Sequence, residues 1–125
     1  MSPLEWLVSP TPTFVRTAQH YEKKHPDELA ATLANLEQRY LPRLRHARHP
    51  GLVHAGCLHH EGRGVIAIDQ SGQGRNLSET RLYAYPDDRT RTLQLLLIGD
   101  KSTQKRDLRL VHDLLDHLPT DTSHG

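Results

Sequence analysis

The stretch that most limits what this chain can fold into is Leu93 to Ile98, five aliphatic residues broken only by Gln94. Apolar on both faces, it suits a central strand covered from two sides. The segment before it alternates: Leu82 and Ala84 fall on one face, and Arg81, Tyr83 and Tyr85 on the other. Pro86-Asp87-Asp88 lies between the two runs and reads as a turn, so they pair as an antiparallel hairpin. Gly99 is expected to end the second strand. From Thr103 onward Leu108, Val111, Leu114, Leu115 and Leu118 recur at helical spacing, and Pro119 stops the helix.

Upstream, Pro3, Pro10 and Pro12 interrupt any regular element, so residues 1–11 are expected to be loosely held, with Trp6 as a possible anchor. A first helix starts at Thr11 or Thr13, either of which can cap it, and runs to about Lys24. His25-Pro26 breaks it. Pro26 then suits the first turn of a second helix, with Asp27 and Glu28 complementing its positive end. Leu29, Leu33, Leu36 and Tyr40 form its apolar stripe, and Pro42 ends or kinks it. Two further strands, Leu52 to His60 and Gly64 to Gln70, flank a turn at Glu61 to Gly64, and Ser71 to Glu79 forms a polar loop. The expected fold is a single α+β domain spanning residues 1–125. An N-terminal helical hairpin packs on a four-stranded, mainly antiparallel sheet followed by a C-terminal helix, with residues 1–11 and 119–125 as loose tails.

The chain has 125 residues, 35% of them hydrophobic and 25% charged, enough for one modest core built mainly from leucine. No apolar run approaches the roughly 18 residues of a membrane span, and no membrane partner is expected. The first residues show no basic cluster followed by an apolar stretch, so no secretory signal is expected. Cys57 stands alone, which excludes an internal disulfide and fits a reducing cytoplasm.

The formal net charge is only +1, but it is unevenly spread. Arg39, Arg43, Arg45 and Arg48 fall in a stretch with no acidic residue before Glu61, joined by His46, His49, His54, His59 and His60. Such a run is either a solvated helix end and loop or a basic patch that meets phosphates and strengthens as histidines protonate. Ten histidines raise the question of a metal. His54 and His60 share one face of the expected strand and His59 takes the other, with no Cys pair or helical His motif to complete a site, so neither metal nor cofactor is expected. Gly72 to Arg75 lacks the strand-loop-helix context of a phosphate cradle. Asp27-Glu28 and Asp87-Asp88 have structural roles at a helix start and a turn.

RLYAYP followed by LQLLLIGDKSTQKRDL resembles the C-terminal half of the RelE/ParE superfamily of bacterial toxins, in which an Arg-containing strand precedes an apolar strand and a Gly-Lys-rich loop. The likeness is greatest to the HigB-like, addiction-module-killer branch, over Leu95 to Ile98, Gly99 to Gln104 and Asp107-Leu108. It covers the last third of the chain in residues and the first half in element order alone. The resemblance implies the toxin of a type II toxin–antitoxin pair, partnered by a cognate antitoxin and cutting mRNA on the ribosome without a metal. Arg81 and Lys101 would stabilise the phosphate, with Tyr83 and Tyr85 on the same face to contact a base or relay a proton. Lys105, Arg106 and Arg109, with Arg43, Arg45 and Arg48, would bind RNA backbone. Where the family often carries a C-terminal Tyr or His, this chain has Arg109 and, three residues on, His112. The resemblance also leaves open a ParE-like inhibitor of DNA gyrase with no enzymatic activity, and an inactive binding module.

Overall fold

A computed structural model describes residues 5–118. The chain begins with a short strand, β1 (Leu7–Pro10), and turns into helix α1 (Pro12–Lys24). Thr11 caps α1, its Oγ1 accepting from Phe14 N at 3.1 Å, and Pro12 occupies the first turn. Helix α2 (Pro26–Asn35) follows at once, with Asp27 and Glu28 in its first turn as expected.

Pro42 does not end the helical run. A π turn at Leu36–Tyr40, in which Leu41 N bonds back to Leu36 O, leads directly into α3 (Leu41–His46). Proline has no N–H to give and its ring collides with the preceding turn, and a widened turn accommodates both.

The second half forms the rest of the sheet: β2 (Leu58–Gly62), β3 (Val65–Asp69), β4 (Thr80–Asp87) and β5 (Thr92–Asp100), then a single 3-10 turn at Lys101–Thr103 and helix α4 (Gln104–Asp116). The sheet has five strands in the order β1-β5-β4-β3-β2 and is mixed, since β1 runs parallel to β5 while every other pair is antiparallel. The expectation of four strands after a leading hairpin is corrected here: residues 7–10 are an edge strand. Trp6 anchors them, 8% exposed in the core, with the Arg91 guanidinium 5.6 Å from its ring. Residues 119–125, expected to be loose, lie outside the described residues.

Three local boundaries also differ. Pro86 and Asp87 belong to β4, paired with Leu93 and Thr92, and the turn follows them. Gly99 continues β5 opposite Arg81. The strand expected from Leu52 starts only at Leu58, because Pro50–Leu52 forms a 3-10 turn and His54 precedes the strand. Between β2 and β3 the backbone takes positive φ at Gly62 (90°), Arg63 (55°) and Gly64 (80°), which the flanking glycines make possible.

The sheet separates two apolar layers, as the two-faced character of β5 requires. On one face Phe14, Leu36, Tyr40, Leu41 and Leu44 pack on Ile66, Ile68, Leu82, Ala84, Leu93 and Leu95. On the other, Val111 and the partly buried Leu108, Leu114 and Leu115 of α4 cover Val65, Ala67, Tyr83, Leu96 and Leu97. An irregularity in the β4–β5 pairing, where Tyr83 faces Leu97 and Ala84 faces Leu95, leaves Leu96 as an extra residue and puts it with Leu97 in the α4 layer.

β1 covers only the first half of β5, and α1 completes the edge with threonines. Thr11 N and Thr11 Oγ1 donate to Leu95 O (3.0 Å) and Leu96 O (3.1 Å), and Ile98 N donates to Thr17 Oγ1 (3.0 Å). Backbone groups that a longer strand would have paired are satisfied by the Thr11 amide and by two threonine hydroxyls instead.

Candidate functional site

Where α4 leaves the sheet uncovered, towards the ends of β2, β3 and β4, polar residues replace leucines on the same face. Arg81 projects there because strand alternation sets it beside Tyr83. Its Nη1 lies 3.1 Å from Glu61 Oε1 on β2 and its Nη2 3.3 Å from Glu79 Oε1, and the side chain is 13% exposed. Its Nε–H is buried with no partner among the described residues. Lys101 Nζ is 3.8 Å from Glu79 Oε2. Arg81 and Lys101 therefore meet around one carboxylate at a common rim. Two cations face two carboxylates, so the cluster is neutral at rest.

A second pair sits on this face. His59 Nε2 is 2.7 Å from Asp69 Oδ2, and Asp69 Oδ1 accepts from Ser71 N at 2.8 Å. The pairing register fixes their place. His59 faces Ala67 and Ala67 faces Tyr83, while Asp69 faces Arg81, so His59, Asp69 and Arg81 surround the small, fully buried Ala67. Burial raises the Asp69 carboxyl, but the hydrogen bonds from His59 and Ser71 outweigh it, leaving the group below the ordinary aspartate value.

Behind Asp69 the backbone is clamped. Asn35, the fully buried last residue of α2, donates through Nδ2 to Asp69 O (2.7 Å) and Ser71 O (3.0 Å), and its Oδ1 accepts from Gln73 (2.9 Å).

α4 forms one wall. Arg63 in the β2–β3 turn reaches Asp116 (2.7 Å) and lies 3.4 Å from His112 Nδ1, and Lys101 at the other end reaches Glu79. The side of the helix running through Lys101, Lys105, Arg109, His112 and Asp116, spaced by four, four, three and four, thus borders the β2 side of the sheet. Lys101, Ser102, Lys105, Arg106, Leu108 and Arg109 line an open depression with no carboxylate in its lining. Arg106 Nε lies 4.0 Å from Asp107 Oδ1. Asp100 starts this segment as a capping residue, its Oδ1 accepting from Thr103 N (3.1 Å) and Ser102 Oγ (2.6 Å).

The structure separates the remaining expected site residues. Tyr83 is fully buried beneath α4, its hydroxyl without a partner among the described residues, and burial pushes that hydroxyl far above the ordinary tyrosine value. It cannot touch a base or relay a proton to solvent. Tyr85 is half-buried against the β2–β3 turn, near Gly64 and among Arg63, Leu115 and Leu118, four residues along β4 from Arg81. Arg43 and Arg45 belong to α3, on the face of the sheet opposite α4, and Arg48 follows the end of that helix. Arg43 Nη1 donates to Arg39 O at 2.8 Å, and Arg45 lies with Trp6, Leu7 and Arg91.

The histidines do not gather. His60 Nε2 is 2.9 Å from Val53 O and its ring packs on His54, and no group of three metal-ligating side chains is found among the described residues. Cys57 is buried and its thiol pushed up by burial, so it is a poor nucleophile. No helix among the described residues is long and apolar enough to cross a membrane.

Sequence reasoning missed Glu61 and Asp69 as members of the site, saw Glu79 only as an ion-pair partner for Arg81, and weighed His59 as a member of a basic patch or as a metal ligand. The one signal available was Asp69 closing an otherwise apolar run, VIAID, where a charge must find a partner.

Comparison with known protein families, with curated proteins and with solved structures gives no match.

Proposed function

We propose that this chain is the toxin of a type II toxin–antitoxin pair of the RelE/ParE kind, cutting mRNA on the ribosome without a metal. The observation that carries the reading is the meeting of Arg81 and Lys101 around Glu79, beside Glu61. Cleavage by the RNA's own 2′-hydroxyl needs a base for that proton and cations for the charge growing on the phosphoryl oxygens. Glu61 is the base, Arg81 and Lys101 supply the charge, and Lys105 and Arg109 hold the flanking phosphates. A phosphate displaces Glu61 and Glu79 from Arg81, which frees Glu61 to accept the proton. A cognate antitoxin would cover this cationic side of α4, the likeness to the family being the support for such a partner. Tyr83 has no part, because it is buried.

The neutrality of the resting cluster favours a second reading, a non-enzymatic inhibitor of DNA gyrase. Induction of the chain and of Arg81→Ala in bacteria, read by growth, primer extension on cellular mRNA and a gyrase supercoiling assay, separates them. New mRNA 5′ ends that Arg81→Ala fails to produce support the nuclease. Growth arrest with intact mRNA and blocked supercoiling supports the inhibitor. Absence of arrest by the wild-type chain removes both.

A further inference from the structure

Proton transfer to the departing oxygen is the part of the reaction that Glu61, Arg81 and Lys101 leave unassigned. In-line displacement puts the attacking and leaving oxygens on opposite sides of phosphorus, so a base at one end calls for an acid at the other. His59 stands two residues before Glu61 on β2, where the β2–β3 register shifts between His60 and Gly62. The Arg81 guanidinium crosses β3 to reach Glu61.

We propose that His59 is the general acid of this site and that Asp69 is the residue that positions it. The proposal rests on the nuclease reading above. The 2′-hydroxyl gives its proton to Glu61 as its oxygen bonds to phosphorus. The bond from phosphorus to the 5′ oxygen breaks, and that oxygen takes the proton on Nδ1 of the His59 imidazolium. The products are a 2′,3′-cyclic phosphate and a 5′-hydroxyl, with Glu61 protonated and His59 neutral, and exchange with water restores both.

Three observations support this assignment. His59 is 37% exposed while Asp69 is 8% exposed, so the ring is reachable from solvent and its carboxylate partner is buried. The contact is made through Nε2, and Nδ1 has no hydrogen-bond partner among the described residues. Asp69 is itself over-determined, with one oxygen on Ser71 N, the other on His59, and its carbonyl held by a buried asparagine from the other side of the sheet. A base or acid oriented by a carboxylate that is in turn fixed by the fold is the usual build of a proton-transfer pair. A surface ion pair needs none of this support. Asp69 of β3 is the charged group in contact with His59; the other charged groups on this face are Glu61 of β2, Arg81 with Glu79 and Lys101, and Arg63, Lys105, Arg109, His112 and Asp116 along the α4 wall.

The test uses purified full-length chain, programmed ribosomes and a defined mRNA, with cleavage rates followed from pH 5 to 9. His59→Gln is expected to lower the rate about 100-fold or more and to abolish the fall in rate on the alkaline side that deprotonation of an acid produces. Imidazole added to His59→Ala restores part of the rate. Asp69→Asn lowers the rate about tenfold or more and keeps an alkaline limb. Thermal melts of each variant distinguish lost chemistry from lost folding. Wild-type rate and pH profile in a folded His59→Gln protein overturn the proposal and leave the nuclease standing. No cleavage by the wild-type chain overturns both.

Discussion

The guanidinium of Arg81 bridges two strands that do not touch, reaching from β4 across β3 to within 3.1 Å of the Glu61 carboxylate on β2. With Glu79 on its other nitrogen, Arg81 is the only described cation holding two carboxylates together at this rim. Arg81→Ala would leave Glu61 without its cation and Glu79 with Lys101 alone, in a site where Arg81 and Glu61 are each less than 15% exposed. The variant is expected to lose about 2 kcal/mol of stability by this route, measured by urea denaturation. Glu61→Gln, which keeps an acceptor for Arg81, should lose less.

Tyr83 offers the opposite case. Its hydroxyl is buried without a partner among the described residues, so Tyr83→Phe removes a polar group and leaves the ring in place. Stability is expected to stay level or rise by up to about 1 kcal/mol, and growth arrest should match the wild-type chain. Loss of arrest in a stably folded Tyr83→Phe protein would return the tyrosine to the mechanism.

Gly99 and Asp107 are built around each other. A Cβ on Gly99 would collide with Asp107 Oδ2, which Thr103 Oγ1 holds at 2.5 Å from a rigid helix. Gly99→Ala is expected to cost about 1–3 kcal/mol, seen as a lower urea midpoint. Gly56→Ala, with open space around the added methyl, serves as the control and should change little.

The two buried aspartates set opposite pH dependences. Asp69 titrates below its unfolded value, so its contribution is present above the unfolded aspartate pKa of about 3.9 and is lost as pH falls through the folded value. Burial raises Asp107 above its unfolded value, so its charged form opposes folding at neutral pH and the opposition fades as acid protonates it. Urea midpoints from pH 2.5 to 7 should show Asp69→Asn less stable than wild type at pH 7, with the gap closing in acid. Asp107→Asn should gain on wild type at neutral pH and give that gain back in acid.

The α4 layer and the hairpin of β4 and β5 were legible in the sequence because Leu93 to Ile98 is apolar on both faces and the leucines after Thr103 keep a helical period. The capped start of α1 was legible for a similar reason, since Thr11 and Pro12 are local signals. β1 was not, because Leu7 and Val8 are exposed and its partner lies some 85 positions away, as in Leu7 opposite Thr92. The site was half legible. Arg81 and Lys101 sit in a contiguous motif, whereas Glu61, Asp69 and His59 join them only through strand register, which a one-residue slip would reverse. The polar surroundings of Arg81 also hid the outcome for Tyr83, for alternation gives a side chain its face and not the helix that will cover it.

The threonines of α1 that finish the edge of β5 have a consequence for how the molecule meets other chains. With Leu95, Leu96 and Ile98 already satisfied from within, that half of the strand offers no ladder for a foreign peptide to extend. Recruitment of an extra strand is thereby confined to the outer rows of β1 and β2. Of those, only β2 carries the residues that would do the chemistry, so a partner pairing there would silence His59 and Glu61 simply by lying down beside them.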